Sequence, residues 1–219
     1  MLFHGNARMY LPAHFAESRT EVLHALMRAR PFATLVTQGA TGPDANHLPL
    51  HLDAGASPQG TLVGHVARAN PLWREAADSA VLAIFHGPQA YVTPSWYPTK
   101  HEHGKAVPTW NYVVAHARGR LRVVDDAAWL RRQLELLVDS HESGFAEPWR
   151  VADAPPDYLD KMLAAIVGIE IEITELVGKW KLSQNQPEAN RAGVIAGLRG
   201  RESAEALAVA DLVAGLSRP

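Results

Sequence analysis

Val167-Gly168-Ile169-Glu170-Ile171-Glu172-Ile173-Thr174-Glu175-Leu176 alternates without a break. Ile169, Ile171 and Ile173 fall on one side, and Glu170, Glu172 and Thr174 on the other. Successive side chains of a strand point to opposite faces, so this run reads as a strand with one buried and one solvated face. That pattern belongs to antiparallel sheets; strands of parallel sheets are covered on both faces and read as continuous apolar runs.

Other segments repeat the pattern. Asn46 to Leu52 sets Leu48, Leu50 and Leu52 against His47, Pro49 and His51. Phe32 to Thr37, Thr61 to Ala67 and Ala80 to His86 are further strands, the last continued after a bend by Pro88 to Val92. Trp110 to Val124 is a long strand with a bulge expected at Gly119. The helices fall between and after them. Ser18-Arg19-Thr20-Glu21 has the form of a capping box and predicts a helix over Arg19 to Arg30. Asn70-Pro71 opens a short one. Asp125 is expected to cap a helix with an inner stripe of Leu130, Leu134, Leu137 and Val138. Pro156 to Ile166 is helical, as is most of the tail from Glu188. Pro94 to Pro108, with three prolines and His101-Glu102-His103, predicts an ordered functional loop.

With no βαβ rhythm and no glycine fingerprint behind a first strand, a dinucleotide-binding α/β domain is not expected. The expected class is mainly β with α additions, an antiparallel barrel wholly or partly closed. A single domain over residues 1–219 is expected, with a helical insertion at 126–166 and a helical extension at 187–219. The 219 residues are 47% hydrophobic, enough for a substantial core, and include no cysteine, which excludes disulfides and thiolate sites. Met1 to Tyr10 carries no apolar run of signal-peptide length, and no segment approaches a membrane span. A cytoplasmic location is expected. A net charge of −2 gives no basic footprint for nucleic acid.

Three constellations could carry chemistry. Gly64 to Trp73 runs off a strand into a helix start, where backbone N–H groups and the Arg68 fork suit an anion. The alternative is an ordinary corner with Arg68 in solvent. Gly87 to Tyr97, with Val107 to Tyr112, sets aromatics among amides and hydroxyls, fitting either a flat-ring pocket or an aromatic core. Gly178 to Gln186 puts Lys179, Lys181, Ser183, Gln184 and Asn185 in a loop behind a strong strand, facing either a ligand or solvent. His47 and His51 stand about 13 Å apart on one strand face, too far to share a metal unaided. His101 and His103 have no third ligand at suitable spacing, so no metal is expected. No nucleophile elbow, phosphate loop or zinc-protease motif is present.

Several words in this order resemble the PaiB-type FMN-binding negative transcriptional regulators. They are Met9-Tyr10-Leu11-Pro12, His47 to Leu50, Gly64 to Trp73, Phe85 to Tyr91, Pro94 to Tyr97, Val107 to Tyr112, Ile166 to Ile171 and Lys181 to Asn185. Together they span roughly residues 1–200. The family's loop before Pro108 is short, and here His101 to Lys105 fills it. The resemblance implies an FMN-binding split β-barrel related to the pyridoxamine-oxidase-like proteins, with flavin at a homodimer interface. It implies an FMN phosphate near His65, Arg68 and Asn70 and the ring beside the backbone of Leu48 and Pro49. Trp110, Lys181 and Gln184 would close the site. It further implies DNA as a partner. A flavin-dependent oxidoreductase and a haem-binding split barrel are the competing functions.

Overall fold

The computed structural model describes residues 9–216; most of the stretch Met1 to Tyr10, searched above for an apolar run, lies outside them, as do the side chains of His101 and His103. In chain order the elements are β1 (Ala16–Glu17), α1 (Thr20–Ala29), β2 (Phe32–Gly39), β3 (Gly42–Pro49), β4 (His51–Asp53), β5 (Thr61–Ala67), α2 (Leu72–Glu75) and β6 (Ala80–Val92). They continue with α3 (Lys100–His103), β7 (Thr109–Val124), α4 (Ala127–Glu142), α5 (Pro156–Ala164), β8 (Ile166–Lys181), α6 (Glu188–Arg199) and α7 (Ala204–Gly215). The chain forms two compact units. One holds the described residues up to Ser18, Gly87–Val114 and the chain from Gly178; the other holds Arg19–His86 and Ala115–Val177.

The second unit carries the sheet order β3-β2-β6-β7-β8-β5-β4. Its antiparallel ladders place Thr34 opposite His47 and Ile84, and Gly64 opposite Ile169. The first and last strands of that order, β3 and β4, are separated in the chain by Leu50 alone. The extended run from Gly42 to Asp53 therefore pairs with β2 by its first half and with β5 by its second. A side chain on Gly64 would meet Pro49 O at 3.0 Å and Leu50 Cδ2 at 2.9 Å, so β5 needs a glycine where this run passes it. Inside lie Leu35, Leu50, Leu62, Phe85, Leu121, Ile169 and Ile171, each no more than 1% exposed. Burial of each such side chain is worth about 1.5–3 kcal/mol. The alternation in β8 holds as read, with Ile169, Ile171 and Ile173 buried.

Local details differ from the sequence reading. Among the described residues the Ser18 capping box does not form: Arg19 is the N-cap of α1, without a side-chain capping hydrogen bond. Asp126, not Asp125, caps α4, its carboxylate accepting from Trp129 N at 2.6 Å. The face of α4 buries Leu130 and Gln133, with Leu134 and Val138 packed beside Val151, Leu159 and Leu163. Leu137 is only half-buried. Pro94–Trp96 forms a 3-10 turn and Lys100–His103 one helical turn within the expected loop.

In the first unit β1 pairs with the end of β8, Ala16 opposite Lys179 and Glu17 opposite Gly178. Helices α6 and α7 bury Val194, Leu198, Val209 and Val213.

Candidate functional site

The first constellation lies in the second unit, where β5 turns into α2. The Arg68 guanidinium donates from Nη1 and Nη2 to the Asp125 carboxylate at 2.9 and 2.6 Å. Its Nε donates to Ala164 O at 2.8 Å and Nη2 also to Ile166 O at 3.0 Å. The hydrogen bond with Arg68 holds the Asp125 carboxyl below the usual carboxylate range and raises the arginine in turn. Asn70 Oδ1 accepts from Leu72 N at 2.9 Å while Nδ2 donates to Asn46 Oδ1 at 2.8 Å. His65 Nδ1 stands 2.8 Å from Gln133 Oε1. The fork expected to face an anion is thus turned onto protein groups. Asp125 is available to receive it because Asp126 has taken the cap of α4.

The second and third constellations meet in the first unit. They line a cavity of about 380 Å³, within the range typical of small-ligand sites. Lys181 reaches into it from the end of β8, donating to Thr109 Oγ1 and, at 2.5 Å, to Trp110 O. Burial, followed by the charge of Lys179, lowers its pKa. Asn111 is fully buried and exchanges side-chain hydrogen bonds with Ser183 at 3.0 and 3.2 Å. Ser183 has φ 64°, a left-handed conformation uncommon outside glycine and concentrated at functional positions. The turn is held by Gln184, which accepts from Leu182 N at 2.7 Å and donates to Trp180 O. Gln184 thus staples the loop and does not line the cavity. Opposite it, buried Asn190 from α6 donates to Thr99 Oγ1 and Gln186 Oε1, both at 3.0 Å. Burial raises the Tyr97 phenol, partly offset by a hydrogen bond with Ser183.

The aromatics divide by role. Trp110 is 53% exposed and meets Tyr91 edge-on, their centroids 6.2 Å apart. Trp96 lies on α6: side chains at Gly193 and Gly197 would meet Trp96 O at 1.9 Å and its indole at 2.2 Å. These two glycines, one helical turn apart, let the Ser95-Trp96-Tyr97 word seat on the helix. Lys179 is buried, donates to Tyr10 O at 2.8 Å and lies over the Tyr10 and Tyr112 rings.

The remaining expected residues, Leu48 and Pro49, sit at the end of β3. Leu48 is buried and Pro49 half-buried. On the outer side of the same sheet Thr34 Oγ1 lies 3.1 Å from His47 Nδ1 and 3.5 Å from His86 Nε2. Among the described residues no three His, Cys, Asp or Glu side chains group to hold a metal. Nor is any described helix long and apolar enough to cross a membrane.

Asn111 and Asn190 line the cavity without having been named individually as ligands, and Ser183 lines it from the loop expected to face a ligand or solvent. Asn111 carried a signal, an amide between aromatics inside a strand. Asn190 carried none, because only the docking of α6 brings it there.

The mostly antiparallel sheet with helical additions is similar in fold to solved split-barrel proteins. The chain resembles the flavocytochrome Anf3 from Azotobacter vinelandii with a TM-score of 0.62 at 16% identity, over 85% of this chain and 79% of that one. It resembles the FAD and heme binding protein from Mycobacterium smegmatis with a TM-score of 0.55 at 20% identity, over 75% and 71%. Residues 9–175 match the family described as "Putative FMN-binding domain", and the chain belongs to that family. Its cofactor is FMN. Among relatives, Protease synthase and sporulation protein PAI 2 of Bacillus subtilis is 32% identical over 94% of this chain and 96% of its own. An uncharacterized protein of Emericella nidulans, AN0679, is 34% identical over the same shares.

Proposed function

We propose that this protein is a PaiB-type FMN-binding negative transcriptional regulator, acting as a cytoplasmic homodimer. One observation carries the cofactor part of the reading: Pro94–Thr99, Lys105–Asn111 and Lys181–Asn190, far apart in sequence, converge on one polar cavity with a lysine at its wall. The donor set suits FMN. Lys181 supplies positive charge for the phosphate, Asn111, Ser183 and Asn190 supply hydrogen bonds for the ribityl hydroxyls, and the exposed Trp110 indole offers a flat surface for the ring. When bound, the isoalloxazine supplies one- and two-electron redox chemistry. Arg68, His65 and Asn70 act in this reading as braces of the β5 corner.

The regulatory part rests on the likeness to the PAI 2 protein over nearly the full length of both chains. Flavin fluorescence quenching tests the cofactor part, with saturation at one FMN per subunit expected. Retention of promoter DNA at several salt concentrations tests regulation. Specific retention supports repression; none, alongside NAD(P)H oxidation by the flavin-loaded protein, replaces it with an oxidoreductase.

A further inference from the structure

The cavity around Lys181 is one-sided in charge. Lys181 lines it from the end of β8 and the exposed Lys105 from the turn after α3, while no aspartate or glutamate stands among its described lining residues. The hydrogen bonds within the wall decide what its groups still offer. Lys181 gives two of its three ammonium donors to Thr109 Oγ1 and Trp110 O, so one remains. Buried Asn190 accepts from Thr99 N through Oδ1 at 3.4 Å, which turns its Nδ2 to donate to Gln186 Oε1 at 3.0 Å. That contact in turn fixes the Gln186 amide. Its oxygen is taken, and its N–H₂ is left as a donor at the cavity wall.

Spare donors beside positive charge ask for an oxyanion. The exposed amide of Asn185 adds a donor and an acceptor side by side, which suits hydroxyl groups that give one hydrogen and accept another. The exposed indole of Trp110 is not among the lining residues; that residue meets Lys181 through its carbonyl. At about 380 Å³ the cavity lies at the lower end of the range for small-ligand sites. Its polar wall thus addresses a phosphate and hydroxyls, and a flat ring would find its surface outside.

We propose that this cavity binds a small phosphate monoester of a sugar or polyol without any ring attached, the phosphate facing Lys181 and Gln186 Nε2, and that such a compound competes with FMN. The inference rests on the flavin reading for the assignment of Lys181 to a phosphate, and goes beyond it in needing no flavin. Occupancy of the flavin site then follows the level of sugar phosphate around the protein.

Ribose 5-phosphate, ribose and inorganic phosphate separate the parts of the ligand. Added to the FMN-loaded protein, ribose 5-phosphate should restore flavin fluorescence competitively, and calorimetry on the flavin-free protein should show it binding directly. Ribose should do neither, and inorganic phosphate should bind more weakly than the sugar phosphate. Gln186→Glu keeps an acceptor for Asn190 and replaces the spare donor by a carboxylate oxygen, so affinity for ribose 5-phosphate should fall roughly 10-fold. Lys105→Met, at an exposed position, should weaken it while leaving the fold intact. Ribose 5-phosphate that fails to bind, binds without displacing FMN, or is matched by ribose or by inorganic phosphate would overturn the proposal, as would unchanged affinity in both variants. FMN bound without sugar phosphate ends this proposal and leaves the flavin reading standing. Sugar phosphate bound without FMN keeps the cavity's ligand class and removes the flavin.

Discussion

Arg68 and Asp125 form a two-pronged ion pair, 2.9 and 2.6 Å, that locks the end of β5 to the start of the segment leading into α4. The pairing uses the guanidinium for architecture. Arg68→Ala should therefore lower the midpoint of urea unfolding modestly and leave FMN affinity unchanged. Asp125→Asn should do the same. The carboxyl of Asp125 is depressed, so its stabilising share is present above its unfolded value near 3.8 and is lost as pH falls through the lower folded value. An Arg68→Ala protein that stays folded but no longer quenches flavin fluorescence would return the phosphate to this corner.

Lys181 carries the opposite expectation. Lys181→Met keeps the length of the side chain and removes the charge. Charged hydrogen bonds are worth about 1.5–3 kcal/mol, so FMN dissociation constants should rise roughly 10- to 100-fold. The affinity of riboflavin, which lacks the phosphate, should change far less. Equal losses for both ligands would place Lys181 against another part of the flavin.

Much of this was legible in the residues. Period-two alternation marks β8, β5 and the run through Leu48 and Leu52, because one face of each strand meets the core. The site was legible as words but not as a place. No local pattern tells that the Trp96, Asn111 and Ser183 stretches converge, since tertiary packing of β7, β8 and α6 brings them together. Arg68 illustrates the physical reason: an arginine at a corner looks the same in sequence whether it faces solvent, a phosphate or a carboxylate. Asp125 and Asp126 are both able to cap α4, and only the structure shows which is left to pair with Arg68. Gln133 had a signal that was overlooked, an amide three residues from Leu130 on the face that turns inward.

Glycines 168 and 197 each make room for a tryptophan. Gly168→Ala would set a methyl group 2.4 Å from the Trp129 ring and 2.8 Å from Val124 O, and Gly197→Ala would set one 2.2 Å from the Trp96 ring. Overpacking of this kind costs about 1–3 kcal/mol. Both variants should unfold at lower urea. Only Gly197→Ala should also weaken FMN binding, because Trp96 precedes Tyr97 on the cavity wall. The two effects are separated by pairing denaturation with flavin titration.

His116 sets the expected response to acid. Burial first, then the charges of Arg118 and His86, lower its pKa from 6.5. Below pH 6.5 the unfolded chain takes up a proton on this imidazole more readily than the folded one does. Unfolding therefore becomes easier as pH falls from about 6.5 toward the depressed folded value, and stability rises with pH across that window. His116→Gln keeps polarity and size without the titration, so its stability should change less over the same window than that of the parent protein. Urea unfolding at a series of pH values from neutral downward measures the difference. Parallel curves for the two proteins would assign the acid sensitivity to other groups.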